Sequence, residues 1–180
     1  MARDPMKRRL PTCNSLRTGG HDYRFPRWYF VTTNTYRRVP HFGTIESGRM
    51  YLNEAGRIVA KEWERTEELR DNVELDAFIV MPDHVHGLIR LIDPRLTDLE
   101  VTPLPTEDGE PLREFGNAVA HSLSTIIGCF KAAATRRIHR LEDWKHVEIW
   151  QSSFHDHILH TQNTLQQARR YIRTNPQRED

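Results

Sequence analysis

The stretch VELDAFIVMPDHVHGLIRLI, residues 73–92, decides how this chain is expected to fold. It consists of two apolar-rich runs, residues 73–80 and 84–92, which are separated only by Met81, Pro82 and Asp83. Short runs rich in β-branched and aromatic residues are typical of strands, and so short a connection favours an antiparallel pair. The sequence therefore predicts a β-hairpin at this position.

The segments that precede the hairpin also have regular patterns. Residues 28–33, WYFVTT, have the aromatic and β-branched composition of a strand that is buried on at least one face. Residues 47–70 repeat apolar side chains at helical spacing, with glutamates on the opposite side. We therefore expect a strand followed by a long amphipathic helix.

The segments that follow the hairpin predict further elements. Residues 123–138 have the apolar period of a second helix, and residues 147–150 and 154–159 are short strand candidates. A third helix is expected to start near Thr164, which has capping-box spacing to Gln167, and to end before Pro176. This order predicts an α+β sandwich of ferredoxin-like type, with helices on one face of a mainly antiparallel sheet.

Length and composition place the chain among ordinary globular proteins. Its 180 residues fit one domain, here expected over residues 28–180, with an acidic, proline-rich loop inserted at 93–114. The chain has no long apolar run and no secretory signal pattern, so we expect a cytoplasmic protein that does not enter a membrane. Cys13 and Cys129 form no disulfide framework, and Cys129 is expected to be a buried free thiol.

The first 40 residues are strongly basic although the whole chain has a formal net charge of only +1. They contain nine Lys or Arg against two Asp. Residues 1–27 are therefore interpreted as a basic arm that either binds phosphates or is simply a solvated tail.

Two histidines in the predicted hairpin are candidate metal ligands. Side chains alternate along a strand, so His84 and His86 share one face about 7 Å apart, while Val85 takes the other. Gly87, which follows, leaves room for a helix or a ligand to approach the sheet. By itself this pattern fits ordinary hydrogen-bonded histidines as well as a metal site.

The predicted third helix contains a second candidate pair. Tyr171 and Asn175 are four residues apart and so lie on one helix face, at the edge of an apolar stripe. Taken alone, the tyrosine could be an amphipathic edge residue and the asparagine a helix cap before Pro176.

Four blocks together resemble the HUH single-tyrosine transposases, in particular the REP-associated tyrosine transposases. In chain order they are MPDHVHGLIR (81–90), GCFKAAATRRI (128–138), WQSSFHDHIL (150–159) and ARRYIRTNP (168–176). The resemblance covers roughly residues 28–176. It implies that His84 and His86 are the two histidines of the HUH motif, that Tyr171 is the catalytic tyrosine and that Asn175 is the third ligand.

This resemblance implies a function and a cofactor. The protein would be a single-strand DNA endonuclease and strand transferase, in which Tyr171 attacks a phosphate and forms a 5′-phosphotyrosine intermediate. Mg²⁺ or Mn²⁺ suits two imidazoles and one amide oxygen, because such an ion keeps positions open for phosphate oxygens. The alternatives are a catalytically silent DNA-binding relative and a metal phosphodiesterase that uses water. The expected partner is single-stranded DNA that contains a hairpin, with either a homodimer or a monomer as the active form.

Two further groups of residues are candidates for the same site. His155 and His157 form a second His-x-His, with His160 nearby, and are interpreted either as extra ligands or as part of a supporting or DNA-contacting strand. Basic side chains near the first strand, on the second helix and beside Tyr171 are candidate phosphate contacts. They are Arg24, Arg27, Arg37, Arg38, Lys131, Arg136, Arg137, Arg140, Arg169, Arg170 and Arg173.

Overall fold

A computed structural model of the protein describes residues 26–92 and 121–178. Its strands are β1 (Trp28–Asn34), β2 (Gly43–Glu46), β3 (Arg49–Leu52), β4 (Val73–Val80), β5 (His84–Leu91) and β6 (His155–Leu159). Its α-helices are α1 (Glu54–Glu68), α2 (Leu123–Ile138) and α3 (Gln162–Thr174), and short 3-10 turns occupy Tyr36–Arg38, Glu142–Trp144 and Pro176–Arg178. None of these helices is long and apolar enough to cross a membrane. The basic arm up to residue 25 and the 93–114 loop lie outside the described residues.

The main sheet has four strands in the order β4-β5-β1-β6, and every neighbouring pair is antiparallel. The predicted hairpin is confirmed: β4 and β5 pair directly, with Val80 opposite Val85 beside the short connection. The predicted α+β class with a mainly antiparallel sheet is also confirmed. Strand β5, which contains both candidate histidines, lies between β4 and β1.

The two faces of this sheet are covered by different helices. Helices α1 and α2 pack on one face, where Tyr29, Val31 and Ile89 join the larger core. Helix α3 packs on the other face against Phe30 and Leu88. The expectation that the helices share one face therefore holds for α1 and α2 but is wrong for α3. The reason is that β1 and β5 have apolar side chains on both faces of the sheet, so a helix must pack on each face to bury them.

Several predicted boundaries differ from the structure. Residues 47–52 were expected to be helical but form strand β3 and the turn before it, where Ser47 and Gly48 have positive φ. Helix α1 begins only after Asn53, whose side chain accepts a hydrogen bond from the Gly56 N–H. The hairpin turn and this N-cap exclude a helix through the segment.

Differences near the C-terminal end have similar local causes. Residues 147–150 form no strand but contribute a single bridge between Thr35 and Trp150. The capping box of α3 joins Thr161 and Thr164, so the helix begins before the predicted Thr164 cap, and it ends at Thr174 ahead of Pro176 as predicted. Cys129 is exposed on α2, which corrects the expectation of a buried thiol.

Gly87 allows α1 to approach the sheet closely. A Cβ atom at this position would lie 2.3 Å from Cζ2 of Trp63, a core side chain on α1. The glycine therefore makes room for the indole, which also stacks on Phe78. The predicted approach of a helix at Gly87 is confirmed.

Gly87→Ala is expected to destabilise the protein by about 1–3 kcal/mol, because the new methyl group would force Trp63 out of its packed position. Chemical denaturation at equilibrium would measure the change. The matched control is Gly128→Ala, since Gly128 lies on α2 with no atom within 4 Å of its added Cβ. That variant should gain roughly 0.5–1 kcal/mol from helix propensity. Equal stability of the two variants would contradict this account of the α1 packing.

Candidate active site

The face of the sheet that α3 covers contains the two candidate histidines. His84 and His86 alternate with Val85 along β5, and both imidazoles are buried, at 3% and 6% exposure. Their Nε2 atoms lie 3.0 Å apart. The strand geometry thus brings two ring nitrogens to one point, as expected from the sequence.

The other nitrogen of each ring has a partner of its own. His84 Nδ1 lies 2.6 Å from the carboxylate Oδ1 of Asp83. Because a carboxylate accepts hydrogen bonds, this contact places the hydrogen of His84 on Nδ1 and leaves its Nε2 lone pair available. His86 Nδ1 lies 2.8 Å from the hydroxyl of Thr32 on β1. With His84 Nε2 as acceptor, His86 Nε2 donates across the 3.0 Å contact, and the Thr32 hydroxyl then donates to His86 Nδ1.

Asp83 is itself held from a second side. Arg38 Nε lies 2.8 Å from Asp83 Oδ2, and Arg38 Nη1 donates to Asn34 Oδ1 at 2.6 Å. Arg38 has a φ of 59°, a left-handed conformation at the turn after β1. This turn therefore places a cation against the carboxylate that orients His84. About half of the Arg38 side chain remains exposed.

Tyr171 lies against the histidine pair within the same chain. Its ring centroid is 5.3 Å from that of His86 and 5.9 Å from that of Phe30, both in edge-to-face geometry. Phe30 in turn stacks on His86 at 5.1 Å. The tyrosine is partly buried at the edge of the apolar stripe of α3, which is the position predicted from the sequence.

Asn175 is the C-cap of α3, one turn after Tyr171. Its side chain is almost fully buried, and among the described residues its Nδ2 atom has no hydrogen-bond partner. A buried polar group without a partner is costly, and rotation of the amide exchanges its oxygen and nitrogen. The atom without a partner is the amide nitrogen, and a metal ligand would have to present the amide oxygen at this position by that rotation.

The two Nε2 atoms are 3.0 Å apart, within the range of an N–H···N hydrogen bond and also close enough for both nitrogens to bind one divalent ion. No group of three or more His, Cys, Asp or Glu that could hold a metal occurs within residues 26–92 and 121–178. Asn175, the third ligand that the resemblance implies, is not one of these residue types.

The second His-x-His lies on the same sheet face but on another strand. His155 is opposite Thr32 and His157 is opposite Phe30 across the pairing of β6 with β1. Strand β1 separates them from β5, a lateral distance of roughly 10 Å between backbones. Burial lowers the pKa of His157, and the neighbouring His155 lowers it further. These two histidines therefore flank the His84–His86 pair.

The predicted phosphate contacts fall into two groups. Arg27, Arg37, Arg136, Arg140, Arg170 and Arg173 are exposed, and Arg24 lies outside the described residues. Other side chains have partners within the fold: Arg38 contacts Asp83, Arg137 Nε lies 2.8 Å from Glu62, and Arg169 pairs with Asp76.

Three residues that contact the candidate site or its helix were not predicted from the sequence: Asp83, Thr32 and Asp76. Asp83 was detectable as an acidic neighbour of His84, whereas the other two required the strand register.

Lys131 on α2 also has a structural role. Its ammonium group donates to the backbone carbonyls of Gln151, Ser152 and Ser153, and burial lowers its pKa to about 8. The Gln151 side chain accepts from Asn34 Nδ2 at 3.4 Å, beside Arg38. Lys131 therefore fixes the turn that leads into β6.

Lys131→Met is expected to destabilise the protein by about 1–3 kcal/mol, because carbonyl oxygens in this turn would lose their donor. Thermal or denaturant unfolding at pH 7 would measure the change. Arg136→Met on the exposed side of the same helix is the control and should change stability by less than about 0.5 kcal/mol. A Lys131 variant as stable as this control would show that the turn does not need the ammonium group.

Comparison with known proteins identifies a sequence relative and solved structures of similar fold. The chain is 27% identical over 168 residues to an uncharacterized protein of Haemophilus influenzae, across 90% of this chain and 87% of that protein. No model of a protein family matches it. A solved structure of a REP-associated tyrosine transposase bound to a REP hairpin is 18% identical, with a TM-score of 0.56 over 91% of this chain and 74% of that one. A candidate transposase of Deinococcus radiodurans is also 18% identical, over 87% of this chain and 96% of that one, with a TM-score of 0.43. The chain thus has the α+β fold of the REP-associated tyrosine transposase structure.

Proposed function

We propose that this protein is a metal-dependent enzyme that cuts and rejoins single-stranded DNA, with Tyr171 as its nucleophile. The observation that supports this function most directly is the edge-to-face contact of Tyr171 with His86, whose Nε2 lies 3.0 Å from that of His84. A fold shared with a transposase that binds a hairpin supports the same class of substrate.

The tyrosine would act by direct displacement at phosphorus. Its phenolic oxygen loses a proton and forms a bond to the phosphorus, while the bond from phosphorus to the 3′ oxygen breaks. The products are a 5′-phosphotyrosine on the protein and a DNA 3′-hydroxyl, which gains a proton. Attack by a 3′-hydroxyl on the phosphotyrosine reverses the step and rejoins a strand.

The residues around Tyr171 have separate roles in this proposal. His84, His86 and Asn175 would hold Mg²⁺ or Mn²⁺, which would polarise the scissile phosphate. Asp83 and Thr32 fix the two imidazole rings, and Arg38 holds Asp83 in place. Because all of these side chains belong to one chain, a monomer would contain a full set of groups, and a homodimer would not be needed to supply the tyrosine.

A covalent-adduct assay tests the proposal. The protein is incubated with Mn²⁺ and labelled single-stranded DNA that contains a hairpin from the sequence flanking its gene, and is then separated on a denaturing gel. We expect a labelled protein band that disappears when a chelator removes the ion. Cleavage without such a band would support a phosphodiesterase that uses water, and binding without cleavage would support a catalytically silent DNA-binding protein.

A further inference from the structure

Strand β4 contains a bulge at the point where α3 crosses it. Its register with β5 shifts between Leu75, opposite Ile89, and Phe78, opposite Gly87, so that Asp76 and Ala77 together face Leu88 alone. Leu75 and Phe78 pack with the α1 and α2 side of the sheet, whereas Ala77 packs with α3. A bulge of this kind redirects a side chain. Here Asp76 and Ala77 both face the side of the sheet that α3 covers.

Asp76 makes an ion pair with Arg169 of α3. Arg169 Nε and Nη2 each lie 2.6 Å from Asp76 Oδ2, and Oδ1 accepts from the Ala77 N–H at 2.7 Å. Both side chains are mostly buried, at 28% and 20% exposure. Arg169 therefore contacts one carboxylate oxygen and the Ala77 N–H contacts the other, so the orientation of the carboxylate toward α3 is fixed.

This contact is well placed to set the rotation of α3 about its own axis. At about 100° per residue, Arg169 and Tyr171 are separated by about 160° and so lie on opposite flanks of the buried stripe of Leu165, Ala168 and Ile172. A short apolar stripe gives attraction but little resistance to rolling, since hydrophobic contact is not directional. Rolling the helix by about 10° would move an atom about 6 Å from its axis by about 1 Å.

We propose that Asp76 and Arg169 are positioning residues that hold Tyr171 beside the histidine pair of its own chain. The inference rests on the proposed function, in which Tyr171 is the nucleophile. A displacement of about 1 Å can reduce a reaction rate about 100-fold, although every reacting group is still present. Asp76 and Arg169 are 93 residues apart in the sequence and contact each other directly.

The test compares Asp76→Asn and Arg169→Gln with Glu74→Gln and Arg90→Gln. The control pair, Glu74 on β4 and Arg90 on β5, is an exposed ion pair with a 2.9 Å contact. Four quantities are measured: the single-turnover rate of adduct formation, the affinity for hairpin DNA, the affinity for Mn²⁺ and the hydrogen exchange of the α3 amides. We expect the first two variants to form adduct 10- to 100-fold more slowly, with both affinities within twofold of wild type. The control variants should keep the wild-type rate.

The charge-reversed double variant, Asp76→Arg with Arg169→Asp, should form adduct at least tenfold faster than either Asp76→Arg or Arg169→Asp alone. A purely structural role would lower thermal stability without this recovery. A direct DNA contact by Arg169 would instead weaken DNA binding in Arg169→Gln, whereas Asp76→Asn would leave it unchanged or strengthen it. That pattern, or a wild-type rate in Asp76→Asn, would overturn the proposal.

Hydrogen exchange separates this inference from the proposed function. If wild-type protein forms no adduct, the nucleophile assignment fails, and the positioning contact is then judged by exchange alone. Faster exchange of the α3 amides in Asp76→Asn and Arg169→Gln than in the two control variants supports the contact. Equal exchange in all four variants refutes it.

Discussion

Tyr171→Phe is expected to abolish the covalent DNA adduct and to reduce strand cleavage by a factor on the order of 10⁴ or more, as the loss of a nucleophile does in other enzymes. The substitution removes one oxygen atom. Phenylalanine retains the ring that packs edge-to-face on His86 and Phe30. The fold and the binding of DNA and Mn²⁺ should therefore be preserved.

The measurement is the denaturing-gel assay with labelled hairpin DNA and Mn²⁺, together with a filter-binding assay of the same DNA. Phe30→Leu is a useful companion, because it removes a ring that packs on both His86 and Tyr171 but keeps the tyrosine hydroxyl. That variant should form adduct slowly, whereas Tyr171→Phe should form none. Cleavage that persists in Tyr171→Phe would show that water, and not the tyrosine, attacks the phosphate.

His84→Ala is expected to eliminate both measurable Mn²⁺ binding and adduct formation. The substitution leaves His86 as the only imidazole of the pair, and a single nitrogen ligand with one amide binds a divalent ion weakly. Asp83→Asn should have a smaller effect, a loss of about 10- to 100-fold in metal affinity, because it changes only the group that orients His84. Calorimetric titration with Mn²⁺ measures both changes.

Two control variants make this result specific. His84→Gln keeps much of the side-chain volume and shows whether a buried cavity, rather than the missing ligand, causes the loss. His155→Ala removes an exposed imidazole from the second His-x-His, on the far side of β1. It should leave Mn²⁺ affinity within about twofold of wild type. If His155→Ala lost as much Mn²⁺ affinity as His84→Ala, the ion would not bind at the His84–His86 pair alone, and the assignment of these two residues as its ligands would be contradicted.

Several elements of this protein could be predicted from local sequence patterns. The β4–β5 hairpin, helix α2 and the end of α3 before Pro176 all depend on periodicity, a short connection or a proline, which act within a few residues. The same alternation placed His84 and His86 on one face. Helical spacing likewise placed Tyr171 at the edge of an apolar stripe.

Weak local signals explain where the prediction was wrong. The β2–β3 hairpin has strands of only four residues with alternating exposed positions, and Tyr51 of β3 also fits the helical period of α1. Only the turn at Ser47 and Gly48 and the cap at Asn53 decide between the two structures. A short strand gains most of its stability from its partner, so its own sequence is a poor guide.

The sequence by itself determined which residues of each element share a face, because that depends on the geometry of a single strand or helix. Only the tertiary structure decided which faces meet. Thr32 reaches His86 across 54 residues, Arg169 reaches Asp76 across 93, and the α3 helix covers the face of the sheet opposite to α1 and α2. These contacts depend on strand order, on a bulge in β4 and on the burial of two apolar sheet faces. Such features arise from the whole packed core and leave no periodic pattern in the residues that make the contact.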